Sequence, residues 1–313
     1  MTNVVVVKNL VKKYRKSSEN AVDDISFDIA KGDFFTFLGP NGAGKTTTIS
    51  ILTTTLSKTS GEVSIAGFNL DTAQQKVREN IGIIFQNPSL DLNLSAEENI
   101  RFHALIYNLY PFRPSFNLMP QSYQDIVMDL AQIVGIKDSI FKPVKTFSGG
   151  MKRKLEIVRS LIHHPQILFL DEPTTGLDPL SRRNLWSYLQ AVRKRENTTI
   201  FLTTHYLEEA ETADSVAIIN HGKLIAHGTP SQIKQNLIHD YVELFSDQPD
   251  KLTTYLKNNN FKFETNGSIK VAIKSGQIPS FLQTLNLPIR ELKTHTPTLE
   301  SAYLELIKTN EGN

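Results

Sequence analysis

The sequence predicts an α/β fold, in which strands and helices alternate around a parallel sheet, followed by a smaller α+β unit. Short apolar runs such as "IGIIFQ", "ILFLDE" and "TTIFLTTH" are separated by amphipathic, helix-like stretches such as "SRRNLWSYLQAVRKR". A glycine-rich turn, "GPNGAGKTT", joins the apolar run "DFFTFL" to another helix-like stretch. Strands that alternate with helices in this way favour parallel pairing.

The composition is that of an ordinary soluble globular protein. The 313 residues suffice for one large domain and a small one. A net charge of +2, from 34 basic and 32 acidic side chains, is too balanced to indicate nucleic-acid binding by bulk electrostatics, so no nucleic-acid partner is expected. The absence of cysteine excludes disulfides, thiolate metal sites and cysteine nucleophiles, and it fits a cytoplasmic location.

Membrane-spanning segments are not expected. The start, "MTNVVVVKNLVKKY", has an apolar run of only four valines, a strand pattern too short for the core of a signal peptide. No apolar stretch approaches the ~18 residues that a membrane span requires. We therefore expect a protein that is soluble by itself and reaches a membrane only through a partner.

The elements follow in a definite order. Residues 4–38 are predicted to form short strands, "TTTISILTTTL" a helix after the glycine-rich turn, and "GEVSIAGFNL" a hairpin. Because threonine is a poor helix former, tertiary contacts must hold that helix. From Ser95 to Lys142 the pattern is helical, interrupted by "YPFRPSFNLMP", and "SVAIINHGKLIAHG" is predicted to form a second hairpin.

A domain boundary is predicted near Asp240, which divides the chain into residues 1–239 and 240–313. The second segment is expected to form a strand, a helix, a hairpin, a helix, a strand and a helix. At about 70 residues it would be marginally stable alone, so it is expected to pack on the main body or on its copy. Dimer support and regulation are both open as its role.

The first motif with a definite chemistry is the glycine-rich turn from Gly39 to Thr47. It fits G-x-x-x-x-G-K-S/T between an apolar strand and a helix, which is the context of a nucleotide-binding loop. Its glycines let the backbone wrap round a polyphosphate with the N–H groups pointing inward. The sequence therefore predicts that Lys45 neutralises the β- and γ-phosphates and that the Thr46 hydroxyl binds Mg²⁺.

The second motif is a pair of carboxylates, Asp171 and Glu172, at the end of the apolar strand "ILFLDE". Adjacent carboxylates repel each other unless a cation or a proton compensates. Mg²⁺ would keep Asp171 ionised, which leaves Glu172 to orient or deprotonate a water molecule. A solvated acidic turn is the alternative, but Lys45 upstream favours the nucleotide site.

A third motif, "KTFSGGMKRK", contains a second turn suited to an anion at the start of a basic helix. The turn is Ser148-Gly149-Gly150, and it lies far downstream of Lys45. Since the chain already has one phosphate loop, the question is which phosphate this turn serves. The "KRK" at 152–154 is interpreted as a solvated, electropositive face of the helix and not as a nucleic-acid or lipid site.

These motifs, followed by "LFLDEPTTGLD" and a strand ending at His205, resemble the ATP-binding-cassette (ABC) ATPases over roughly residues 4–230. The resemblance implies a P-loop NTPase cassette with a RecA-like core, an antiparallel β-subdomain and a helical subdomain at about 90–160, plus a small C-terminal α+β domain. In this family two cassettes pair head to tail. The Ser148 turn of each cassette then faces the γ-phosphate bound by the other cassette. The resemblance therefore implies that this turn serves the nucleotide of a second chain.

The resemblance implies which residues contact ATP. Tyr14 matches the aromatic residue that stacks on adenine, although an ordinary surface tyrosine is the alternative. Asp178 matches an aspartate that contacts the opposing cassette. The full nucleotide-site set comprises Tyr14, Gly39, Pro40, Asn41, Gly42, Ala43, Gly44, Lys45, Thr46, Thr47, Ser148, Gly149, Gly150 and Asp178.

The resemblance also implies the catalytic and metal-binding residues. Glu172, already assigned to orient or deprotonate the water, is the residue expected to carry catalysis, and His205 matches a histidine that contacts the γ-phosphate. Gln86 matches the glutamine that contacts Mg²⁺ and the water and senses the membrane partner, although glutamine is a common strand-end residue. The Mg²⁺ ligands would be Thr46, Gln86 and Asp171.

Three stretches of the sequence resemble the daunorubicin-resistance-like branch of drug-resistance exporters. They are "FSGGMKRKLEIVRSL", "TTHYLEEAE" and "TPTLESAYLEL". This implies a Mg²⁺-dependent ATPase that drives a separate membrane permease and is held on the cytoplasmic face of the membrane by it. The second cassette would be another copy of the chain or a paralogue, and two intact half-sites favour a homodimer. The permease would select the exported compound.

Two departures from the family pattern matter. The signature has Phe147 and Met151 where the family usually has leucine and glutamine, and Met151 lacks the polar contacts of a glutamine. Because the serine and both glycines remain, activity is expected to survive. The insert at 110–122 is longer and more aromatic than the family predicts. Residues 110–119 are hypothesised to adjust permease docking, and the alternative, which we favour, is a loop packed on its own lobe.

A soluble ABC-type ATPase that acts on ribosomes or DNA is the competing function. Translation-type relatives usually carry two cassettes in one chain, and repair-type relatives have a long coiled coil within the cassette. The sequence shows neither feature. A regulatory module that does not hydrolyse ATP would lack Glu172 or His205, and both are present. Co-purification with a membrane protein would separate transport from the other two functions.

Overall fold

A computed structural model describes residues 2–86, 89–237, 241–265, 268–273, 277–285, 287–295 and 298–311. The chain forms two compact units, Met1–Thr229 and Pro230–Asn313. The division falls before Pro230, whereas the sequence placed it at Asp240. The reason is a helix at Pro230–Leu237, which packs within the second unit against the last helix, Leu299–Glu311.

The strands of the first unit are β1 (Asn3–Lys13), β2 (Asn20–Ala30), β3 (Phe34–Leu38), β4 (Ser60–Ile65), β5 (Phe68–Asn69), β6 (Ile81–Ile84), β7 (Ile167–Asp171), β8 (Thr199–Thr204), β9 (Ser215–Asn220) and β10 (Lys223–Gly228). Its helices are α1 (Lys45–Leu52), α2 (Gln74–Glu79), α3 (Ala96–Ile106), α4 (Gln121–Val134), α5 (Gly149–Leu161), α6 (Pro179–Glu196) and α7 (Leu207–Glu211). The two predicted hairpins are confirmed as β4–β5 and β9–β10.

The predicted parallel sheet is confirmed. Six strands pair in the order β10-β9-β3-β8-β7-β6, and all are parallel except β10, which is antiparallel to β9. Strands β3, β7 and β8 are buried along their whole length, as expected for a parallel sheet covered on both faces. Pairing sets Leu38 beside Thr204 and Asp171 beside Thr203, so the segments after these strands begin at one edge of the sheet.

A second sheet of the first unit is antiparallel, in the order β2-β1-β4-β5. Phe27 on β2 stacks on Phe35 of β3 with ring centroids 5.6 Å apart, and Phe201 of β8 lies 5.1 Å from Phe35. The three rings belong to one buried apolar cluster that includes residues of both sheets. Aromatic rings bury a large apolar area, so this cluster fixes how the two sheets pack.

Helices α3, α4 and α5 lie where the sequence predicts a helical subdomain. α3 begins with a capping box, in which the Ser95 hydroxyl accepts the Glu98 amide and the Glu98 carboxylate accepts the Ser95 amide. The interruption predicted at "YPFRPSFNLMP" is confirmed, since it contains only a short 3₁₀ turn at Phe116–Leu118.

The insert at 110–122 packs on its own lobe. The rings of Tyr110 and Phe116 lie 5.3 Å and 6.1 Å from the ring of Tyr123, which is fully buried. The Arg101 guanidinium of α3 donates to the Arg113 carbonyl oxygen at 2.6 Å. These contacts support the favoured alternative, and they leave the docking hypothesis as a prediction.

The second unit consists of α8 (Pro230–Leu237), β11 (Tyr241–Phe245), α9 (Pro249–Asn258), β12 (Phe263–Thr265), β13 (Ile269–Ala272), α10 (Ile278–Thr284), β14 (Glu291–His295) and α11 (Leu299–Glu311). From β11 onward this is the predicted order. The strands form an antiparallel sheet in the order β12-β13-β11-β14. Leu252 and Leu256 of α9 and Phe281 of α10 share a buried cluster with Val242 and Leu244 of β11, so the unit has its own core.

Among the helices in the described ranges, none is long and apolar enough to cross a membrane.

Candidate active site

The glycine-rich loop connects the end of β3 to the start of α1 at one edge of the central sheet. Gly44 precedes α1 with a φ of 110°, a left-handed conformation that glycine adopts without strain. A Cβ atom at Gly44 would lie 2.5 Å from the Ala21 carbonyl oxygen, and one at Gly39 would lie 2.4 Å from the Ile219 carbonyl oxygen. Neighbouring backbone therefore requires glycine at both ends of the loop.

Lys45 is the first residue of α1, and its side chain is buried, with 4% exposed. Its ammonium group donates to the carbonyl oxygens of Gly39 at 2.8 Å and Pro40 at 3.1 Å, and it forms an ion pair with Glu172 Oε1 at 3.2 Å. A buried cation needs an anionic partner. The loop thus holds one positive charge at its centre, where an anionic group can reach it.

Asp171 ends β7 and is joined to Thr46 and Thr203. The Thr203 hydroxyl donates to Asp171 Oδ1 at 2.6 Å, and Thr46 Oγ1 lies 3.5 Å from the same oxygen. A carboxylate and a hydroxyl at this spacing are the hard oxygen ligands that Mg²⁺ takes beside phosphate oxygens. The residues present therefore fit the predicted metal.

Glu172 connects the lysine to the histidine. Its backbone has a φ of 43°, a strained left-handed conformation for a residue other than glycine. Its Oε2 accepts from the Thr175 hydroxyl at 3.2 Å and lies 3.5 Å from His205 Nδ1, without a hydrogen bond to that nitrogen. One carboxylate thus faces the cation of the loop on one side and the imidazole on the other.

A cavity of 440 Å³ lies beside these groups. It brings together six of the predicted nucleotide-site residues with Gln86, Glu172 and His205, and its lining comprises Ala21, Asn41, Gly42, Gly44, Lys45, Thr46, Thr47, Gln86, Glu172, Thr175 and His205. Tyr14, predicted to contact adenine, is 44% exposed, and its hydroxyl lies 3.3 Å from Thr47 Oγ1. The tyrosine therefore stands beside the loop with an accessible ring.

The signature turn, Ser148-Gly149-Gly150, lies apart from this cavity. Ser148 caps α5, where its hydroxyl accepts the Met151 amide at 3.3 Å, and with Gly150 it lines a separate cleft of 110 Å³. A Cβ atom at Gly149 would meet nothing within 4 Å, and one at Gly150 only Ser181 Oγ at 3.8 Å. Neither has a positive φ. Nothing in the described part of this chain therefore requires glycine at these two positions.

Asp178 caps α6. Its carboxylate accepts the Ser181 hydroxyl at 2.5 Å and the Ser181 amide at 2.9 Å. These hydrogen bonds hold the pKa of Asp178 below its usual range, so the side chain is ionised at neutral pH. The described contacts give Asp178 a structural task within its own chain.

The interpretation of "KRK" as a solvated face is wrong for its middle residue. Arg153 is 6% exposed, and its guanidinium donates to backbone oxygens of β7 and of the segments after β6 and β7. Composition alone gave no sign of this burial. Thr203 was also missed, although the pairing of parallel strand ends would have placed its hydroxyl beside Asp171.

A profile of the family described as "ABC transporter" matches residues 22–175. The probable multidrug ABC transporter ATP-binding protein YbhF of Escherichia coli (strain K12) is 34% identical over 247 residues, which are 79% of this chain but only 40% of YbhF. The bacitracin transport ATP-binding protein BcrA of Bacillus licheniformis is 30% identical over 315 residues, 98% of each chain. The chain belongs to the ABC transporter family, among its ATP-binding proteins.

The fold of this ABC protein agrees with a solved relative. CbiO1 from Clostridium perfringens, described as part of the ABC transporter complex CbiONQ, superposes with a TM-score of 0.66 at 27% identity, over 74% of this chain and 91% of CbiO1. The predicted cassette fold is confirmed.

Proposed function

We propose that this ABC protein binds and hydrolyses Mg²⁺·ATP and thereby drives a separate membrane permease of an exporter. The observation that carries the proposal is the convergence of five side chains at one edge of the central sheet, namely Lys45, Thr46, Asp171, Glu172 and His205. A cation, oxygen ligands, a candidate base and an imidazole are the parts that phosphoryl transfer to water needs.

Each side chain has a separate task. Lys45 and the N–H groups of the loop bind the β- and γ-phosphates. Thr46 and Asp171 would hold Mg²⁺, which neutralises charge on the phosphates when bound. Once phosphates occupy Lys45, Glu172 is free of its ion pair and accepts the proton of the attacking water. His205 contacts the γ-phosphate, and Gln86 at the rim of the cavity orients the water.

A second chain completes the site. The signature turn, Ser148-Gly149-Gly150, presents a helix start and two glycines that the described part of its own chain does not require. An anion brought by another molecule would explain both features, because it can approach the N–H groups closely only where no Cβ stands. Two copies paired head to tail would place each turn against the nucleotide of the other.

The exporter assignment is supported by the relatives. YbhF is described as a probable multidrug transporter protein and BcrA as a bacitracin transport protein. The proposed role on the cytoplasmic face of a membrane is exercised through a separate permease. Affinity purification of the tagged chain from detergent-solubilised membranes should retain one integral membrane protein in fixed proportion. Recovery of ribosomes or DNA in its place would contradict the exporter role.

The shared site is tested by ATPase activity per molecule against protein concentration, for wild type and Ser148→Arg. Activity per molecule should rise with concentration in the wild type. The arginine should abolish it while leaving nucleotide binding intact, because it blocks only the turn offered to the second chain. Ser187→Arg, at an exposed position of α6, is the matched control. Constant activity per molecule and a tolerated Ser148→Arg would overturn the paired site.

A further inference from the structure

Arg153 of α5 has a buried side chain that is bonded to several segments of the chain. Its side chain is 7% exposed and pairs with Glu156 Oε2 at 2.9 Å. The same guanidinium donates to three carbonyl oxygens, those of Phe85 at 2.6 Å, Pro173 at 3.2 Å and Asp171 at 3.4 Å. Only a planar fork of several N–H donors can serve so many acceptors at once.

The acceptors lie beside the side chains proposed to act on the water. Phe85 directly precedes Gln86, and Asp171 and Pro173 stand on either side of Glu172. Arg153 belongs to the first turns of the helix that Ser148 caps. One side chain therefore joins the signature helix to the backbone around both Gln86 and Glu172.

Two further residues on the same face of α5 bind Ser89, which follows Gln86 in the chain. Glu156 Oε1 accepts the Ser89 amide at 3.3 Å, and Arg159 donates to the Ser89 carbonyl oxygen at 2.5 Å and to its hydroxyl at 2.7 Å. Arg153, Glu156 and Arg159 recur every three residues, a spacing that aligns side chains on one helix face. Phe85, before Gln86, and Ser89, after it, are thus both bonded to α5.

Helix α5 and the residues directly after it are also bonded to β6, the strand that ends just before Phe85. The Ser160 hydroxyl donates to the Ile83 carbonyl oxygen at 3.1 Å, and His163 Nε2 lies 2.9 Å from the Ile81 carbonyl oxygen. Helix α5 is therefore bonded to Phe85 and Ser89, and it and the residues after it are bonded to β6. A displacement of the signature turn would be passed to Gln86, and through Arg153 to the backbone of Glu172.

We propose that Arg153 is the positioning residue that couples the signature turn of this chain to Gln86 and Glu172 of the same chain. The inference rests on the proposed function, because the turn senses a nucleotide only when a second chain presents one. Engagement of the turn by the partner's nucleotide would then set the base in this chain's own site. Two sites linked in this way hydrolyse ATP cooperatively.

The test replaces Arg153 by lysine, which keeps the charge but not the fork. Nucleotide affinity measured without turnover should change by no more than about twofold, because the Lys45 loop is untouched. kcat should fall about 10- to 100-fold, since the base and the water-binding glutamine lose their alignment. The Hill coefficient for ATP should fall toward one. Arg183→Lys, at an exposed position of α6, is the matched control and should behave as wild type.

A second variant helps to separate an effect on catalysis from an effect on folding. Glu156→Gln keeps the shape of the side chain but removes the charge that pairs with Arg153, and it should lower kcat and the Hill coefficient in the same direction. If nucleotide affinity and the midpoint of thermal unfolding fall together with kcat in both variants, Arg153 is only structural and the inference is overturned. Wild-type kinetics in Arg153→Lys would overturn it as well. A wild type without concentration-dependent activity would instead refute the paired site proposed above.

Discussion

A single threonine links the two carboxylates of the active site. Thr203 is fully buried, its hydroxyl donates to Asp171 Oδ1, and it accepts the Glu172 amide at 2.9 Å. The Glu172 amide bond matters because this residue has a left-handed backbone, which the surroundings must hold in place. Thr203 therefore positions both a proposed metal ligand and the proposed base, although it does not line the cavity.

We predict that Thr203→Val lowers kcat about 10- to 100-fold, because valine keeps the shape but leaves Asp171 and Glu172 unrestrained. The free energy of unfolding should fall by about 1–3 kcal/mol, the cost of leaving a buried amide without its acceptor. Steady-state ATPase assays and urea unfolding measure the two effects.

Thr36→Val is the matched control for this prediction. Thr36 is equally buried, in the neighbouring strand β3, but its hydroxyl has no hydrogen-bond partner among the described residues. Valine there should leave both kcat and stability unchanged or raise stability slightly. Equal losses in the two variants would show that Thr203 matters for packing and not for the carboxylates.

The site residues proposed from the sequence are those that belong to contiguous motifs, and residues that contact them only through the fold were missed. Lys45 and Thr46 were recognisable because their spacing within one loop defines the chemistry. Arg153 was misjudged, since a basic residue on a polar helix is usually solvated and its burial depends on backbone brought from β6 and β7. Such roles require knowledge of which strand ends are neighbours.

At the scale of elements, the sequence predicted whether a segment forms a helix or a strand better than the residue at which the element ends. The helix after the loop was expected to cover "TTTISILTTTL", but α1 ends at Leu52. Thr53 donates its hydroxyl to the Ile49 carbonyl oxygen at 2.8 Å, and Thr54 has a φ of 62°. Threonine hydroxyls compete for helical backbone groups, and β-branched side chains are stiff, so the run of threonines stops the helix.

The contact between α3 and α5 contains an aromatic and imidazole cluster. The His103 ring lies 4.6 Å from that of Tyr107 and 6.1 Å from that of His163, and Tyr107 stacks on His163 at 4.4 Å. Burial, together with the charge of Arg159 and the neighbouring His163, lowers the pKa of His103 to about 3. The contact thus holds a histidine in its neutral form.

This cluster should make the protein sensitive to acid. The pKa of His103 is lower in the folded chain than the ordinary 6.5, so below about pH 6.5 the unfolded chain binds a proton that the folded chain does not. Stability is therefore unaffected at higher pH and falls as the pH drops toward 3. Between pH 7 and pH 5 we predict a loss of about 1–2 kcal/mol from this residue, measured by urea unfolding.

His103→Phe should reduce that pH dependence, because phenylalanine keeps an aromatic ring and cannot take up a proton. Part of the slope should remain, since burial also lowers the pKa of His163. His164→Gln is the control, since the His164 side chain is 62% exposed and lies outside the cluster. An unchanged slope in His103→Phe would assign the acid sensitivity to another group.

At the scale of the whole molecule, the sequence predicted two units but not the point of division. The composition around residues 230–240 gives no break, and only the packing of α8 against α11 assigns this helix to the second unit. Ile233 of α8 is 3% exposed, so this helix buries an apolar side chain. Boundary placement from sequence fails here because it depends on a contact between segments far apart in the chain.

Truncation tests the division directly. A chain of residues 1–229 should bind nucleotide with unchanged affinity, because every residue of the proposed site lies within the first unit and the second unit has a separate apolar core. A chain of residues 1–237 keeps α8 without α11, the helix that packs against it, so it should aggregate more readily at equal concentration. Light scattering and nucleotide titration compare the two. If residues 1–229 lose affinity or aggregate as readily as 1–237, then α8 belongs with the cassette and the sequence-based boundary is the better one.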